Sequence, residues 1–161
     1  MSKPTFRRAT LADGAAMWRI ARDSRVLDLN TSYAYLIMAR DFGEHSSVVE
    51  VDGEVVGFCM SYLRPADPST LFVWQIAVDS SQRGKGLAGR LLEETVRATG
   101  ATALESTVTA DNDASNALFA GFAARSGATE TITEFITPDH FPADDVHGAE
   151  LLHRIEPLPG A

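Results

Sequence analysis

The sequence predicts an α+β domain: one mixed, mostly antiparallel central sheet flanked by helices. Three observations carry that expectation. Residues 71–78 are almost wholly apolar and rich in Val, Ile and aromatics, the composition of a strand buried on both faces. Asp52-Gly53 separates two β-branched runs, residues 47–51 and 54–60, the signal of a tight antiparallel hairpin. From residue 79 the chain then passes through Gly84, Gly86 and Gly89 into a run carrying Leu87, Leu91, Leu92, Thr95 and Val96 on neighbouring turns. A buried strand there feeds a helix.

The other elements follow in order. A short strand at residues 5–8 leads to a helix through Ala15, Trp18 and Ala21, with Thr10 and Asp13 spaced as a capping pair. The polar break 28–32 precedes a helix over 33–39, capped by Thr31 or Ser32, and this loop and helix can form a lid. Residues 64–69, with Pro65 and Pro68, read as a linker into the central strand. Beyond the glycine junction come a strand over 103–109 and a helix over 113–126. Strands at 130–136 and 150–155 then flank a loop holding Pro138, His140, Pro142, Asp144 and Asp145. With no repeat, low-complexity tract or inter-domain linker, residues 1–161 read as a single domain.

Composition narrows the function classes. The chain is 45% hydrophobic, and no apolar run approaches membrane-spanning length, so membrane insertion is not expected. Residues 1–5 run into a strand without a signal-peptide core, which points to the cytoplasm. The one cysteine, Cys59, lies in an apolar strand and reads as a small buried side chain rather than a nucleophile. Net charge is -8: residues 1–103 carry 12 basic and 12 acidic side chains, and residues 104–161 carry 2 and 10. That distribution disfavours nucleic acid and suits either a cationic small molecule or a solvated acidic face. His45, His140, His147 and His153 lack paired-ligand spacing and companion cysteines, so no metal is expected.

The glycine junction carries the strongest chemical signal. Gly84 and Gly86, flanked by Arg83 and Lys85, leave backbone amides open where a helix begins, so amides, helix dipole and cations all favour a pyrophosphate. Gly84, Gly86 and Gly89 also fit the G-x-G-x-x-G pattern of dinucleotide folds, with Asp111 downstream. Against that reading, four polar residues separate the strand from the turn, and the preceding strands form an antiparallel meander. Lys85 is not followed by Ser or Thr, which excludes a triphosphate-binding loop.

The pattern Arg83-x-x-Gly86-x-Ala88 resembles the acyl-coenzyme A pyrophosphate loop of the GCN5-related N-acetyltransferases (GNAT). Residues 28–36, the block 70–78 with Trp74, the run 109–115 and His147-Gly148-Ala149-Glu150 further resemble the L-2,4-diaminobutyrate acetyltransferases of ectoine biosynthesis, over residues 6–155. The resemblance implies the GNAT acyl-CoA N-acyltransferase fold and a homodimer. It also implies acetyl transfer from acetyl-CoA to the γ-amine of diaminobutyrate by direct attack in a ternary complex.

It further implies roles for particular residues. Arg83, Gly84, Lys85, Gly86, Leu87, Ala88 and Gly89 would hold the pyrophosphate, and backbone groups of Ile76 and Val78 the pantetheine amides. Asn112 would touch the coenzyme arm, or simply cap the helix that follows it. Asp28 would pair with a substrate ammonium, Trp74 would cover it, and Glu150 would neutralise the other amine. Asn30, Thr31 or the amides at the lid helix would take the substrate carboxylate. His147 is the candidate base, directly or through water, and Tyr33 a second acid, base or anchor. Many GNAT enzymes carry a Leu-Tyr pair whose tyrosine is the general acid; here it reads Leu118-Phe119, so no acid is assigned. Two other readings stay open: a GNAT enzyme for another diamino acid or polyamine, and a non-catalytic acyl-CoA sensor.

Overall fold

The computed structural model describes residues 2–160. In chain order its elements are β1 (Thr5–Arg8), α1 (Gly14–Ser24), α2 (Ser32–Asp41), β2 (Ser47–Val51), β3 (Glu54–Arg64) and β4 (Asp67–Val78). They continue as α3 (Leu87–Thr99), β5 (Ala103–Val108), α4 (Asp113–Ser126), β6 (Thr129–Ile136) and β7 (Glu150–Glu156). The strands form one sheet in the order β1-β2-β3-β4-β5-β7-β6, antiparallel throughout except for the β4–β5 pair. No helix among the described residues is long and apolar enough to cross a membrane.

Local chemistry explains the boundaries. The Asp13 carboxylate accepts the Thr10 amide proton at 2.8 Å and both Arg7 Nη groups at 2.8 Å, locking the entry to α1 onto β1. Burial works to raise the Asp13 pKa, but the Arg7 and Thr10 hydrogen bonds outweigh it and hold the carboxyl below its ordinary value. Thr31 caps α2, its hydroxyl accepting from the Ala34 amide at 3.2 Å. Asp52 (φ 55°) and Gly53 (φ 79°) take the left-handed conformation that a two-residue hairpin turn requires.

Two expectations are corrected. Residues 64–69 are not a linker: β3 runs on to Arg64, pairs it with Asp67, and turns through Pro65 and Ala66 alone. Proline presets the first turn position, and Asp67 then accepts from the Ser69 and Thr70 hydroxyls at 2.6 Å, which makes the reversal tight. Pro68 is tolerated because the β5 pairing starts only at Thr70.

The central strand is also not buried evenly on both faces. Val73 pairs with Ser61 and Gln75 with Met60, so β4 carries one extra residue, a bulge at Trp74. Before the bulge Leu71 and Val73 face the α3/α4 core; after it Ile76 and Val78 do, while Gln75 is swung towards α1 and α2. The run is apolar because its parity changes midway. Trp74, at the change, is 41% exposed.

The two cores lie on opposite faces of the sheet. Leu87, Leu91, Leu92, Val96, Phe119 and Phe122 of α3 and α4 pack against Val49, Cys59, Leu71 and Leu104. Met17, Ile20 and Tyr35 of α1 and α2 pack against Val48, Phe58 and Met60. Hydrogen bonding between β4 and β5 ends at Val73–Ser106, although β4 continues to Val78 and β5 to Val108. The two parallel strands therefore splay apart between these cores.

Candidate active site

A cleft of about 750 Å³ opens at the splay, floored by Val73, Ile76, Ser106, Val108 and Phe119. Asp28, Asn30, Trp74, Gln75, Asn112, His147 and Glu150 line it. A second cleft, of about 670 Å³, lies over the start of α3 and is lined by Val78 and residues 82–90. Ala114 borders both, and Ile76 and Val78 carry the end of β4 from one to the other.

The second cleft is an anion cradle. Gly84 (φ 78°) and Gly86 (φ 72°) adopt left-handed backbone, and a Cβ on either would meet no neighbour within 4 Å. Backbone conformation and open approach, not packing, therefore require glycine there. No side chain caps α3, so its first-turn amides face the cleft beside Arg83 and Lys85. Gly89 has a different local reason: a Cβ there would lie 2.6 Å from Arg125 Nη2. Arg125 crosses from α4 over that gap and donates to Glu93 at 3.1 Å. Arg90, in the first turns of α3, and Arg125 also line this cleft without having been singled out in the sequence; Arg125 does so because the fold alone brings α4 alongside α3.

The first cleft is acidic and holds one imidazole. His147 Nε2 lies 3.0 Å from Asp28 Oδ2, and Nδ1 lies 2.7 Å from the Gly148 carbonyl oxygen. The ring stacks on Phe141 at a centroid distance of 4.1 Å. A carbonyl and an ionised carboxylate only accept, so this arrangement favours hydrogen on both ring nitrogens, the imidazolium form. The Gly148 carbonyl first, then Asp28, raise the His147 pKa above its ordinary value. Burial also raises the Glu150 carboxyl, an effect opposed by nearby His147, and its Oε2 is buried with no hydrogen-bond partner. An unpaired buried carboxylate oxygen facing a cleft is costly and calls for a cation.

The remaining candidates divide. Asn112 caps α4, its side chain accepting from the Ser115 amide at 3.2 Å, while also lining the first cleft. Thr31 is spent on its own helix cap. Tyr33 is 69% exposed in the first turn of α2 and lines neither cleft, because the buried positions of that helix belong to Tyr35 and Ala39. Phe119 is buried and presents no proton to the cleft. Cys59 is buried, its thiol pushed up to about 11 by desolvation.

A helix start open to an anion, reached along a splayed strand, is an arrangement that can hold the pyrophosphate and arm of a coenzyme. The model of the acetyltransferase (GNAT) family matches residues 14–122. Among curated relatives, the L-2,4-diaminobutyric acid acetyltransferase of Streptomyces coelicolor is 49% identical, over 94% of this chain and 91% of its own length. That of Nocardia farcinica is 48% identical, over 95% of this chain and 80% of its own. The diaminobutyrate acetyltransferase EctA of Paenibacillus lautus was solved in complex with its substrate L-2,4-diaminobutyric acid and coenzyme A. It superposes with a TM-score of 0.91 at 35% identity, covering 98% of this chain and 96% of that one. The chain therefore belongs to the diaminobutyrate acetyltransferases of the GNAT family.

Proposed function

We propose that this protein transfers the acetyl group of acetyl-CoA to the γ-amine of L-2,4-diaminobutyrate, forming N4-acetyl-L-2,4-diaminobutyrate, a step of ectoine biosynthesis. The observation that carries the reading is the composition of the cleft at the splay. Two carboxylates, one with a buried unpaired oxygen, stand beside a half-exposed indole at the end of a coenzyme cradle. That is a receptor for a small molecule with two ammonium groups. The same pair of ligands, diaminobutyrate and coenzyme A, is what the Paenibacillus relative holds.

In this reading the pyrophosphate sits on the amides of residues 84–89 with Arg83 and Lys85 around it. The coenzyme arm then follows Ile76 to Val78, and Asn112 contributes where α4 begins. The substrate α-ammonium pairs with Asp28, and Glu150 holds the γ end until it is deprotonated.

An alkyl amine with the lysine reference pKa is free in only about one molecule in 2,500 at pH 7, so a proton must be removed before attack. The α-amine is the less basic and intrinsically the more available nucleophile, so γ-acetylation depends on positioning. The arriving α-ammonium competes with His147 for Asp28. Once released, Nε2 gives its proton to water and accepts one from the γ-ammonium. The neutral nitrogen then attacks the thioester carbonyl carbon, a C–N bond forms and the C–S bond breaks. Coenzyme A leaves as a thiolate and takes the second amine proton. A thiol near the 8.5 reference leaves without a dedicated acid, consistent with phenylalanine at position 119.

The reading includes a cytoplasmic setting, supported by an acetyl-CoA cosubstrate and an unpaired cysteine. It includes a homodimer, supported by the exposed Ile132 and Phe135 on the edge strand β6. The test is thiol release from acetyl-CoA with diaminobutyrate, lysine, ornithine and putrescine, with NMR assignment of the acetylated nitrogen. Preference for diaminobutyrate acetylated at the γ-nitrogen is expected. Turnover only with another amine overturns the substrate, and coenzyme binding without turnover overturns the enzyme.

A further inference from the structure

The loop that carries Asp28 is weakly held. Arg25 turns it with φ 60°, and the Val26 and Leu27 amides reach the Ser24 hydroxyl only at 3.4 Å. Among the described residues, none of the backbone amides and carbonyls of residues 26–30 is hydrogen-bonded to another backbone group outside regular elements. One bond ties this loop to the sheet: Gln75 Nε2 donates to the Asp28 carbonyl oxygen at 2.7 Å. The other end of the same amide is fixed too, since the Tyr35 hydroxyl donates to Gln75 Oε1 at 2.6 Å. Gln75 is 5% exposed and Tyr35 fully buried, its ring edge-on to Phe58 at 6.3 Å. Only the bulge at Trp74 lets a β4 side chain at this position point to α2 rather than into the α3/α4 core.

We propose that Gln75 is a positioning residue for the amino-acid substrate, setting through the Asp28 backbone where the α-ammonium is held and hence which nitrogen reaches the thioester. The inference rests on the proposed role of Asp28. Tyr35 fixes the amide orientation, so that the nitrogen, not the oxygen, meets the carbonyl. The chain α2–Gln75–Asp28 thus joins the lid helix, the central strand and the acidic anchor in one rigid relay. The Tyr35–Gln75 bond is buried and the Gln75–Asp28 bond half-buried, so the amide is fixed from the interior side, where an unmade partner is expensive.

The experiment uses the full chain and three variants, Gln75→Leu, Gln75→Glu and Tyr35→Phe. For each, KM for diaminobutyrate, KM for acetyl-CoA, kcat and the ratio of N4- to N2-acetylated product are measured, with melting temperature as a fold control. Gln75→Leu is expected to raise the diaminobutyrate KM by up to roughly tenfold, the equivalent of one lost half-buried hydrogen bond, with acetyl-CoA KM unchanged. The N2 share of product is expected to rise at least threefold, by about 0.6 kcal/mol of lost discrimination. Gln75→Glu keeps the contact to Tyr35 and loses the donor to Asp28, so it is expected to fail in the same way. Tyr35→Phe, which keeps the ring packing and frees the amide to flip, is expected to shift the product ratio in the same direction by less. Wild-type turnover of diaminobutyrate is measured first; its absence overturns the proposed substrate rather than this inference. With wild-type turnover normal, a folded Gln75→Leu with unchanged product ratio and KM overturns it. Should Gln75→Leu not fold, a Tyr35→Phe protein with the wild-type ratio does so.

Discussion

Replacing Glu150 by glutamine separates what the carboxylate does for the substrate from what it does to the fold. Its Oε2 is buried without a partner, and burial raises its pKa above the ordinary 4.5. An acid whose folded pKa is raised binds its proton more tightly folded than unfolded. The ligand-free protein therefore loses stability as pH rises from the unfolded value through the folded one, and carries the full penalty above it. An uncharged amide of the same shape removes that penalty. At pH 8 the melting temperature of Glu150→Gln without substrate is expected to hold or rise, by about 2–4 °C per ~1 kcal/mol regained in a chain of this size. The substrate pays the difference, because a charge-assisted hydrogen bond to its ammonium is worth roughly 1.5–3 kcal/mol, or about 10- to 150-fold in diaminobutyrate KM. Acetyl-CoA KM is expected to stay constant, since Glu150 lines only the first cleft. Initial rates of thiol release and a thermal-shift series over pH 5–9 read both effects. A variant that melts several degrees lower, or one with wild-type KM, would refute the argument that this oxygen waits for a cation.

Three further outcomes are expected. His147 titrates above its ordinary value, because the Gly148 carbonyl and then Asp28 favour the imidazolium; in Asp28→Asn its NMR titration is expected to move down, and an unchanged titration would contradict the contact. Gly86→Ala places a side chain at φ 72°, costs about 1–2 kcal/mol of stability and raises acetyl-CoA KM with diaminobutyrate KM unchanged, whereas Gly89→Ala only displaces the Arg125 guanidinium and leaves the melting temperature within a few degrees of wild type. Cys59 in the folded protein resists aromatic disulfide reagents at pH 8, where a thiol near 11 is about one part in a thousand thiolate, and reacts after denaturation; fast labelling of the native chain would contradict its burial.

Much of this molecule is written in local signals. The Asp52-Gly53 turn and the Thr10–Asp13 and Thr31 caps rest on residues whose partners lie a few positions away, and the buried set Leu87, Leu91, Leu92, Thr95 and Val96 shows in its helical spacing. The bounds of α4, Asp113–Ser126, were legible for the same reason, Asn112 capping its start and Gly127 closing its end with φ 66°. The glycine cradle was legible because backbone freedom is a property of the residue itself. What the sequence hides is set by the partner across a gap. The Arg64–Asp67 reversal looked like a linker because two prolines suit both. Gly89 fits the spacing of a phosphate glycine, but that spacing does not show that a Cβ there would meet Arg125 on another helix. Nothing in the spacing of positions 28 and 147 announces that their side chains meet at 3.0 Å.

The bulge at Trp74 is the least legible feature and the one on which the site depends most. A bulge is fixed by register, here by Met60 and Ser61 of β3 facing Gln75 and Val73, and neither strand signals it alone. Its extra residue bends β4 and sharpens its twist just where pairing with β5 ends, so the strands part and a cleft opens between two packed cores. It turns Trp74 out to wall that cleft and sends Gln75, a polar residue in an apolar run, to hold the Asp28 loop. It also restores Ile76 and Val78 to the α3/α4 side, so the strand end leads from the first cleft to the second. Regular pairing of the whole strand, with Trp74 opposite Met60 and Gln75 opposite Cys59, would aim Gln75 into the α3/α4 core, leaving an amide without partners. The irregularity is therefore held in place by the same core that a regular strand would spoil.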